Sequence, residues 1–440
     1  MIDLHIQDLL KQHDVVHRLN VDRVKSTVSV KPSCRACGGT RLRLGLDLGM
    51  LPLANSFLSS ERARDPRPEP RYPLRIFYCS DCRLIQLFDI VDRKEMFGEY
   101  AFLTATANTS LVHFDQYAEE LSKRPALNSG DLVVDIGSND GTLLKAFKRR
   151  GASVLGIEPA RNIASLAIAS DVPTLNEYFG SATVQRIGAG KARIITANNV
   201  VSHVGDLNGF IDSVDKLLAP KGLFAFEVPW VVEVLRHYNF DIVYHEHLSY
   251  FGFKPLSEVL EKHGLELIDL EYFPEIHGGS LRGLAAHPNT YPKHLKTLER
   301  VFRDEERGAD FNALEQFSHR VEEIREKLIG LLRTLKRDRK RIVGYGAPAK
   351  ATILLNYCSI DNSILDFVTD TTPFKQGKFI PGVRIPIVAP EEFRKIVPDF
   401  ALLLAWNFKD EIMDKEREYL KSGGKFIVPF PEPKIVGSVP

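Results

Sequence analysis

The chain carries almost no net charge: 58 basic residues stand against 57 acidic ones, a balance of +1. Nucleic-acid binders usually show a basic excess, so no nucleic-acid partner is expected. Long apolar runs are also missing. Nothing approaches the ~20 consecutive apolar residues that cross a bilayer, so no membrane partner is expected either. The opening MIDLHIQDLLKQHD has charges scattered through it and no uninterrupted apolar core, unlike a secretory signal. Cysteine is scarce, with five in 440 residues, too few for a disulfide framework. A cytoplasmic location is the expectation. What the chain has is length and a 44% hydrophobic content. That suffices for two to four domains of roughly 100–200 residues, each with its own core.

Four of the five cysteines fall within 31–93, after a polar lead-in over 1–30. They form two pairs, Cys34-Arg-Ala-Cys37 and Cys79-Ser-Asp-Cys82, with 41 residues between them. Each pair fits a knuckle that presents two thiolates to one metal, and two knuckles complete a closed, structural Zn2+ site. The intervening loop is longer than in common zinc ribbons, but loop closure grows only slowly costlier with length. Redox dithiols or unrelated buried cysteines are the alternatives. A redox motif would be single and would sit at a helix start. The charged, proline-rich SSERARDPRPEPRYP (59–73) reads as an exposed loop. Cys358, in the apolar run ILLNYC, reads as a small core residue.

Residues 94–290 begin with a helical piece, HFDQYAEELSKR, and then alternate strand and helix from 131 onward. That alternation predicts an α/β, doubly wound domain with a mainly parallel sheet. Its first turn, DLVVDIGSNDGT, is the most informative stretch. An apolar strand ends in Asp135, and Gly137, Asn139 and Gly141 lead into a helix. The crevice at the carboxyl end of such a strand is where these sheets hold a ligand. Glu158 follows 23 positions after Asp135, suited to accept both hydroxyls of a ribose. The turn lacks the G-x-G-x-x-G of a pyrophosphate binder. A nucleoside without phosphates fits, and S-adenosylmethionine (SAM) is one; a turn that merely joins strand to helix is the competing reading. Asn198 and Asn199 end the later strand ARIITANNV, where they would face the reacting methyl or its acceptor; ordinary turn chemistry is the alternative.

FDIVYHEHLSYF (240–251) gathers Tyr244, His245, Glu246 and His247 after the last strands of this unit. A histidine there can act as general base with Glu246 orienting or charging it, and Tyr244 can donate to an oxygen that becomes negative. A polar loop with satisfied histidines is the plainer reading, and H-E-H does not match zincin spacing. HGGS (277–280), with Gly279, Ser280 and nearby Arg282, suits close ligand approach or a plain tight turn. Residues 291–340, without proline after Pro292, predict a helical connector, with a long helix joining two lobes. A second α/β pattern fills 341–440. Its turn Gly344-Tyr-Gly346-Ala-Pro-Ala-Lys350 is a partial nucleotide fingerprint, with Ala349 at the third glycine position and Lys350 able to meet a phosphate. Trp406 sits at a strand end on the same edge, to stack on a base or simply to pack.

These blocks, in order with VDIGSNDGTLL, GIEPA, ANNVVSHV, HGGSLR, PGVRIPI and LAWNFKDEI, resemble the SAM-dependent sugar C-methyltransferases of deoxysugar pathways. The resemblance covers nearly everything after residue 30. It implies a zinc-binding N-terminal module (31–93), a central SAM-methyltransferase domain (94–290) and a C-terminal Rossmann-like lobe (341–440), with a nucleotide-linked sugar between the lobes. It implies SAM and structural Zn2+ as cofactors. The family's Y-x-E-H falls on Tyr244, Glu246 and His247, with His247 the base, and an upstream tyrosine falls on Tyr100. Asp135, Gly137, Asn139, Glu158, Asn198 and Asn199 would hold SAM. His203, His245, Gly279, Ser280, Arg282, Lys350 and Trp406 would face the sugar nucleotide. One departure is that Phe102 and Thr104 stand where Tyr and Ser would be more usual. The implied reaction is C-methylation of a dTDP-linked 4-keto-deoxysugar beside the ketone, through an enolate. An O- or N-methyltransferase on a small metabolite, an NAD-dependent oxidoreductase using GYGAPAK, and a non-catalytic sugar-nucleotide binder are the alternatives. The sequence leaves monomer or homo-oligomer undecided.

Overall fold

A computed structural model describes residues 28–30, 33–96, 108–274, 276 and 278–437. Tyr100, Phe102, Thr104 and nearly all of the lead-in over 1–30 lie outside them. The N-terminal module contains β1 (Val28–Val30), β2 (Leu42–Leu51), β3 (Tyr72–Cys79), β4 (Ile85–Leu87) and β5 (Asp89–Val91). β1 pairs with β5, and β2, β3 and β4 form an antiparallel meander. The loop over 59–73 is largely exposed, as expected, but it is anchored. It starts with a short helix, Ser60–Arg64, capped by Ser59. Its Glu69 accepts from the Gly382 amide at 2.7 Å and from Arg384 at 3.0 Å, tying it to the C-terminal lobe.

The central domain is a seven-stranded sheet. Its strands are β6 (Leu132–Ile136), β7 (Ser153–Ile157), β8 (Thr174–Leu175), β9 (Ala192–Asn198), β10 (Leu218–Pro229), and, after β11 (Ser249–Tyr250), β12 (Glu266–Phe273) and β13 (Ser280–Ala286). The order is β12-β13-β10-β9-β6-β7-β8. β8, β7, β6, β9 and β10 run parallel, and β13 is antiparallel to both its neighbours. The chain runs outward from β6 to β8 and then returns to β9 on the other side of β6. The crevice between β6 and β9 is therefore the topological switch point, where doubly wound sheets bind ligands. β11 does not join this sheet. It pairs antiparallel with β4 and completes the module's sheet as a fourth strand.

The C-terminal lobe holds β14 (Ile342–Tyr345), β15 (Val368–Thr369), β16 (Ile387–Val388), β17 (Phe400–Leu403), β18 (Lys425–Val428) and β19 (Lys434–Val436). The order β16-β15-β14-β17-β18-β19 is parallel except for β19. A second switch point thus lies between β14 and β17. Two helices, Leu295–Gly308 and Phe311–Arg337, lead into this lobe. The longer one buries Leu314, Phe317, Val321, Ile324, Leu328, Leu332 and Leu335, a 3–4 spacing that draws one apolar stripe. It is more than a connector, because it also packs on the module. A Cβ on Gly45 of β2 would stand 2.1 Å from Leu314 Cδ2, so glycine alone permits this approach. Among the described residues no helix is long and apolar enough to cross a membrane.

Candidate active site

The four cysteines converge. Cys34 Sγ lies 3.5 Å from Cys82 Sγ and Cys37 Sγ lies 3.7 Å from Cys79 Sγ, with all four sulfurs within 4.8 Å of one another. Tetrahedral zinc with Zn–S near 2.3 Å puts sulfurs about 3.8 Å apart, so the donor set fits the ion. The two knuckles have matching turns. The Gly38 amide donates to the Cys34 carbonyl and the Arg83 amide to the Cys79 carbonyl, each at 2.9 Å, with both donors at positive φ. Gly39 donates its amide to Cys37 Sγ, and a Cβ there would strike Asp81. Cys358 is fully buried in the C-terminal lobe, as its sequence context suggested.

At the first switch point the structure brings together Asp135, Gly137, Asn139 and Glu158. Gly137 has φ +69°, and a Cβ would come within 2.4 Å of Val200. Asn139 is also left-handed, at φ 48°. Glu158 is buried; its two oxygens accept from the Asn139 amide at 3.1 Å and the Ala160 amide at 2.8 Å. A carboxylate offers about four lone-pair sites, so room remains for the two hydroxyls of a ribose. Burial pushes the Glu158 carboxyl up. Burial also pushes Asp135 up to about 7, against a 2.6 Å hydrogen bond from Thr196 Oγ1. Beyond them, at the end of β9, both polar atoms of the Asn198 amide are buried and make no hydrogen bond among the described residues. Buried groups of that kind call for a partner, and this one sits on the last residue of β9, a strand that borders the switch point. Asn199, at φ 56°, donates its amide to the Glu227 carbonyl at 2.8 Å, fixing the turn that carries His203.

His203 and the Tyr244–His247 segment form a second group. The ring centres of Tyr244 and His247 are 4.0 Å apart, and those of His203 and His247 are 5.0 Å apart. His247 Nδ1 lies 2.8 Å from the Ile242 carbonyl. A carbonyl can only accept, so Nδ1 bears the proton and the neutral ring keeps its lone pair on Nε2. Burial pushes His203 down to about 4, so it is neutral near pH 7. Glu246 is buried and accepts at Oε1 from Asn55 Nδ2 of the module at 2.7 Å; burial pushes it up to about 7. His245 is turned the other way. Its Nε2 sits 3.3 Å from the Tyr72 carbonyl of β3, and the two rings meet edge-on.

A third group spans the two lobes. Trp406 Nε1 donates to Asp241 Oδ2 at 2.7 Å. Lys350 Nζ donates to Asn407 at 2.6 Å and stands 3.7 Å above the Trp406 ring. Burial lowers the Lys350 ammonium, and the Asp241 carboxylate opposes that. Gly278, at φ +85°, packs on the Trp406 edge; a Cβ would approach its ring to 3.1 Å. The adjoining Gly279 accepts at its carbonyl from the Trp230 amide.

Besides His245, two more residues expected at the sugar are held by internal partners. Ser280 is fully buried and donates to the Ile276 carbonyl at 3.0 Å. Arg282, 1% exposed, pairs with Glu227 at 2.8 Å, reaches Glu120 and Glu271, and lies over the Tyr117 and Phe273 rings. Its five donors serve an internal ion-pair network. Sequence reasoning missed Asn55, Asp241 and Thr196. Asp241 stood inside FDIVYHEHLSYF and Thr196 inside ARIITANNV; their alternation with apolar neighbours was the available signal. Nothing local marked Asn55, since its partner is 191 positions away.

Family models match three successive stretches of the chain. A family described as "Putative zinc binding domain" matches residues 34–97, one described as "Methyltransferase domain" matches 111–270, and one described as "C-methyltransferase C-terminal domain" matches 275–431. The C-methyltransferase NovU of Streptomyces niveus is 37% identical over 410 residues, 92% of this chain and 97% of that protein. A ubiquinone biosynthesis O-methyltransferase of Rhodopseudomonas palustris (strain HaA2) is 35% identical over 112 residues, 25% of this chain and 43% of its own length. An S-adenosylmethionine dependent methyltransferase structure from Mesorhizobium loti covers 39% of this chain and 99% of its own, at 17% identity and a TM-score of 0.32. With a relative of such identity along nearly its whole length, and family matches over all three parts, the chain belongs to the SAM-dependent C-methyltransferases.

Proposed function

We propose that this enzyme methylates a carbon next to the ketone of a nucleotide-linked (dTDP) 4-keto-deoxysugar, with His247 as the base. The observation that carries the reading is the His247 tautomer. The Ile242 carbonyl holds the proton on Nδ1, which makes Nε2 the basic nitrogen of a ring set between Tyr244 and His203. The ketone acidifies the neighbouring C–H, His247 takes that proton, and the Tyr244 hydroxyl steadies the enolate oxygen. Bound SAM supplies an electrophilic methyl on a sulfonium. Asp135, Gly137, Asn139, Glu158 and the Asn198 amide, unpaired among the described residues, would hold its nucleoside and orient it. Holding carbanion and methyl in line replaces a bimolecular encounter, worth about 7–11 kcal/mol at best. Lys350 would meet the diphosphate and Trp406 the nucleotide. Tyr100 would join the acceptor site from outside the described residues. A cytoplasmic setting suits cysteines that gather as metal ligands rather than pair as disulfides.

Carbon rather than oxygen is favoured by the extent of the likeness. NovU matches along 92% of this chain, the O-methyltransferase along 25%. The test uses methyl-labelled SAM and a panel of dTDP-4-keto-deoxysugars. Label on carbon, with deuterium wash-in at that carbon lost in His247→Gln, is the expected result. Label on oxygen or nitrogen, or full turnover by His247→Gln, refutes the assignment.

A further inference from the structure

The zinc module and the catalytic segment touch at several places. β11 pairs with β4, through Ser249 with Gln86 and Tyr250 with Ile85. The Leu87 amide donates to the Leu248 carbonyl at 3.0 Å. The buried Arg35 guanidinium donates to the Leu248 carbonyl and, at 2.9 Å, to the Leu87 carbonyl. His245 rests on the Tyr72 carbonyl. These contacts fix backbone or a histidine outside the Tyr244, His247 and His203 ring group. The contact at Asn55 differs, since it reaches the buried carboxylate of Glu246.

We propose that Asn55 is a positioning residue for the reaction: its side-chain amide holds Glu246 Oε1, which leaves Glu246 Oε2 unpaired for a substrate hydroxyl beside His247. The inference rests on the functional reading above. Glu246 is 4% exposed, and Oε2 is buried with no hydrogen bond among the described residues. A buried acceptor left open one residue before a base in the chain fits a ligand hydroxyl. Asn55 is held from both sides. Leu53 and Ala54 are buried, the Ala54 carbonyl accepts from Thr352 Oγ1 of the C-terminal lobe at 2.9 Å, and Leu58 exchanges backbone hydrogen bonds with Phe379. The turn carrying Asn55 thus meets the module, the catalytic segment and the C-terminal lobe together. Burial disfavours the Glu246 carboxylate and the Asn55 N–H favours it, so losing that donor moves Glu246 further toward its neutral form.

The test compares Asn55→Asp, which keeps the shape and replaces the donor by an acceptor, with Asn55→Ala. In both, zinc should stay at one equivalent and the KM for SAM should hold. kcat should fall about tenfold or more, the effect of losing one hydrogen bond to a charged group. The acid limb of kcat/KM should move to higher pH, further for Asn55→Asp. In a Glu246→Gln background, adding Asn55→Ala should leave the limb where it is. An unmoved limb with kcat within about twofold of the parent overturns the proposal. So does a limb that still moves without Glu246, and so does loss of zinc in both variants, which would assign Asn55 a packing role. Infrared titration of the Glu246 carboxyl, identified by its absence in Glu246→Gln, reads the coupling without turnover. It separates failure of this inference from failure of the functional reading, which would appear as label on oxygen or nitrogen in the parent enzyme.

Discussion

An Arg282→Met variant removes a guanidinium that is 1% exposed and leaves Glu227, 2% exposed at its side chain, without its main cation. Removing one partner of a buried ion pair costs about 3–5 kcal/mol, because the remaining charge stays desolvated. The Glu120 partner is 55% exposed and adds little. His113, 2.9 Å from Glu227, keeps one hydrogen bond and places the expected loss near the lower bound, about 3 kcal/mol. For a domain of this size that lowers the melting midpoint by on the order of 10 °C. The sign with pH follows from Glu227. Burial pushes its carboxyl up, but His113 and Arg282 outweigh burial and hold it below the ordinary value. A depressed carboxyl stabilises the fold above its unfolded pKa and loses that contribution as pH falls through the folded one. The variant's deficit should therefore be largest at neutral pH and shrink on acidification. Calorimetry from pH 4 to 8, alongside KM for the sugar nucleotide, checks both points. A variant melting within about 2 °C of the parent, with a sugar KM raised tenfold, would show that Arg282 serves the substrate and that the internal network is incidental.

Other outcomes follow from the same geometry. His247→Gln should lower methyl transfer by about 10²–10⁴-fold, with the SAM Kd by calorimetry changed less than about twofold. Glu158→Ala should weaken SAM binding roughly tenfold or more and leave sugar-nucleotide binding unchanged. Cys82→Ser should lower zinc below one equivalent by metal analysis, whereas Cys358→Ser should keep the full complement.

The central domain was legible because its signals are local. DLVVDIGSNDGT carries strand, left-handed turn and helix start within twelve residues, and they appear as β6, the positive-φ Gly137 and Asn139, and helix Thr142–Arg149. The cysteine cluster was legible because the spacing of each pair is itself the knuckle geometry. The zinc and methyltransferase assignments agree with the family matches. Side-chain employment was less legible. Arg282 looked available beside HGGS, but its partners come from β10, β12 and the helix Asn108–Lys123, 11 to 162 positions away. His245 and His247 sit two apart and point to different parts of the molecule, one to β3 and one to the Tyr244 and His203 rings. The 59–73 segment gave no sign of its tie to Gly382 and Arg384, since Glu69 there looks like any exposed acid.

Because β11 supplies the fourth strand of the N-terminal sheet, that sheet cannot finish until residue 250 has left the ribosome. The cysteines can gather their ion more than 150 residues earlier, but the β4 edge stays open until β11 arrives. A fragment ending before β11 would keep all four metal ligands and still offer an unpaired strand to neighbouring chains, which invites aggregation. Truncation studies should therefore begin from the intact polypeptide, since cutting by sequence order divides a sheet that the fold does not divide.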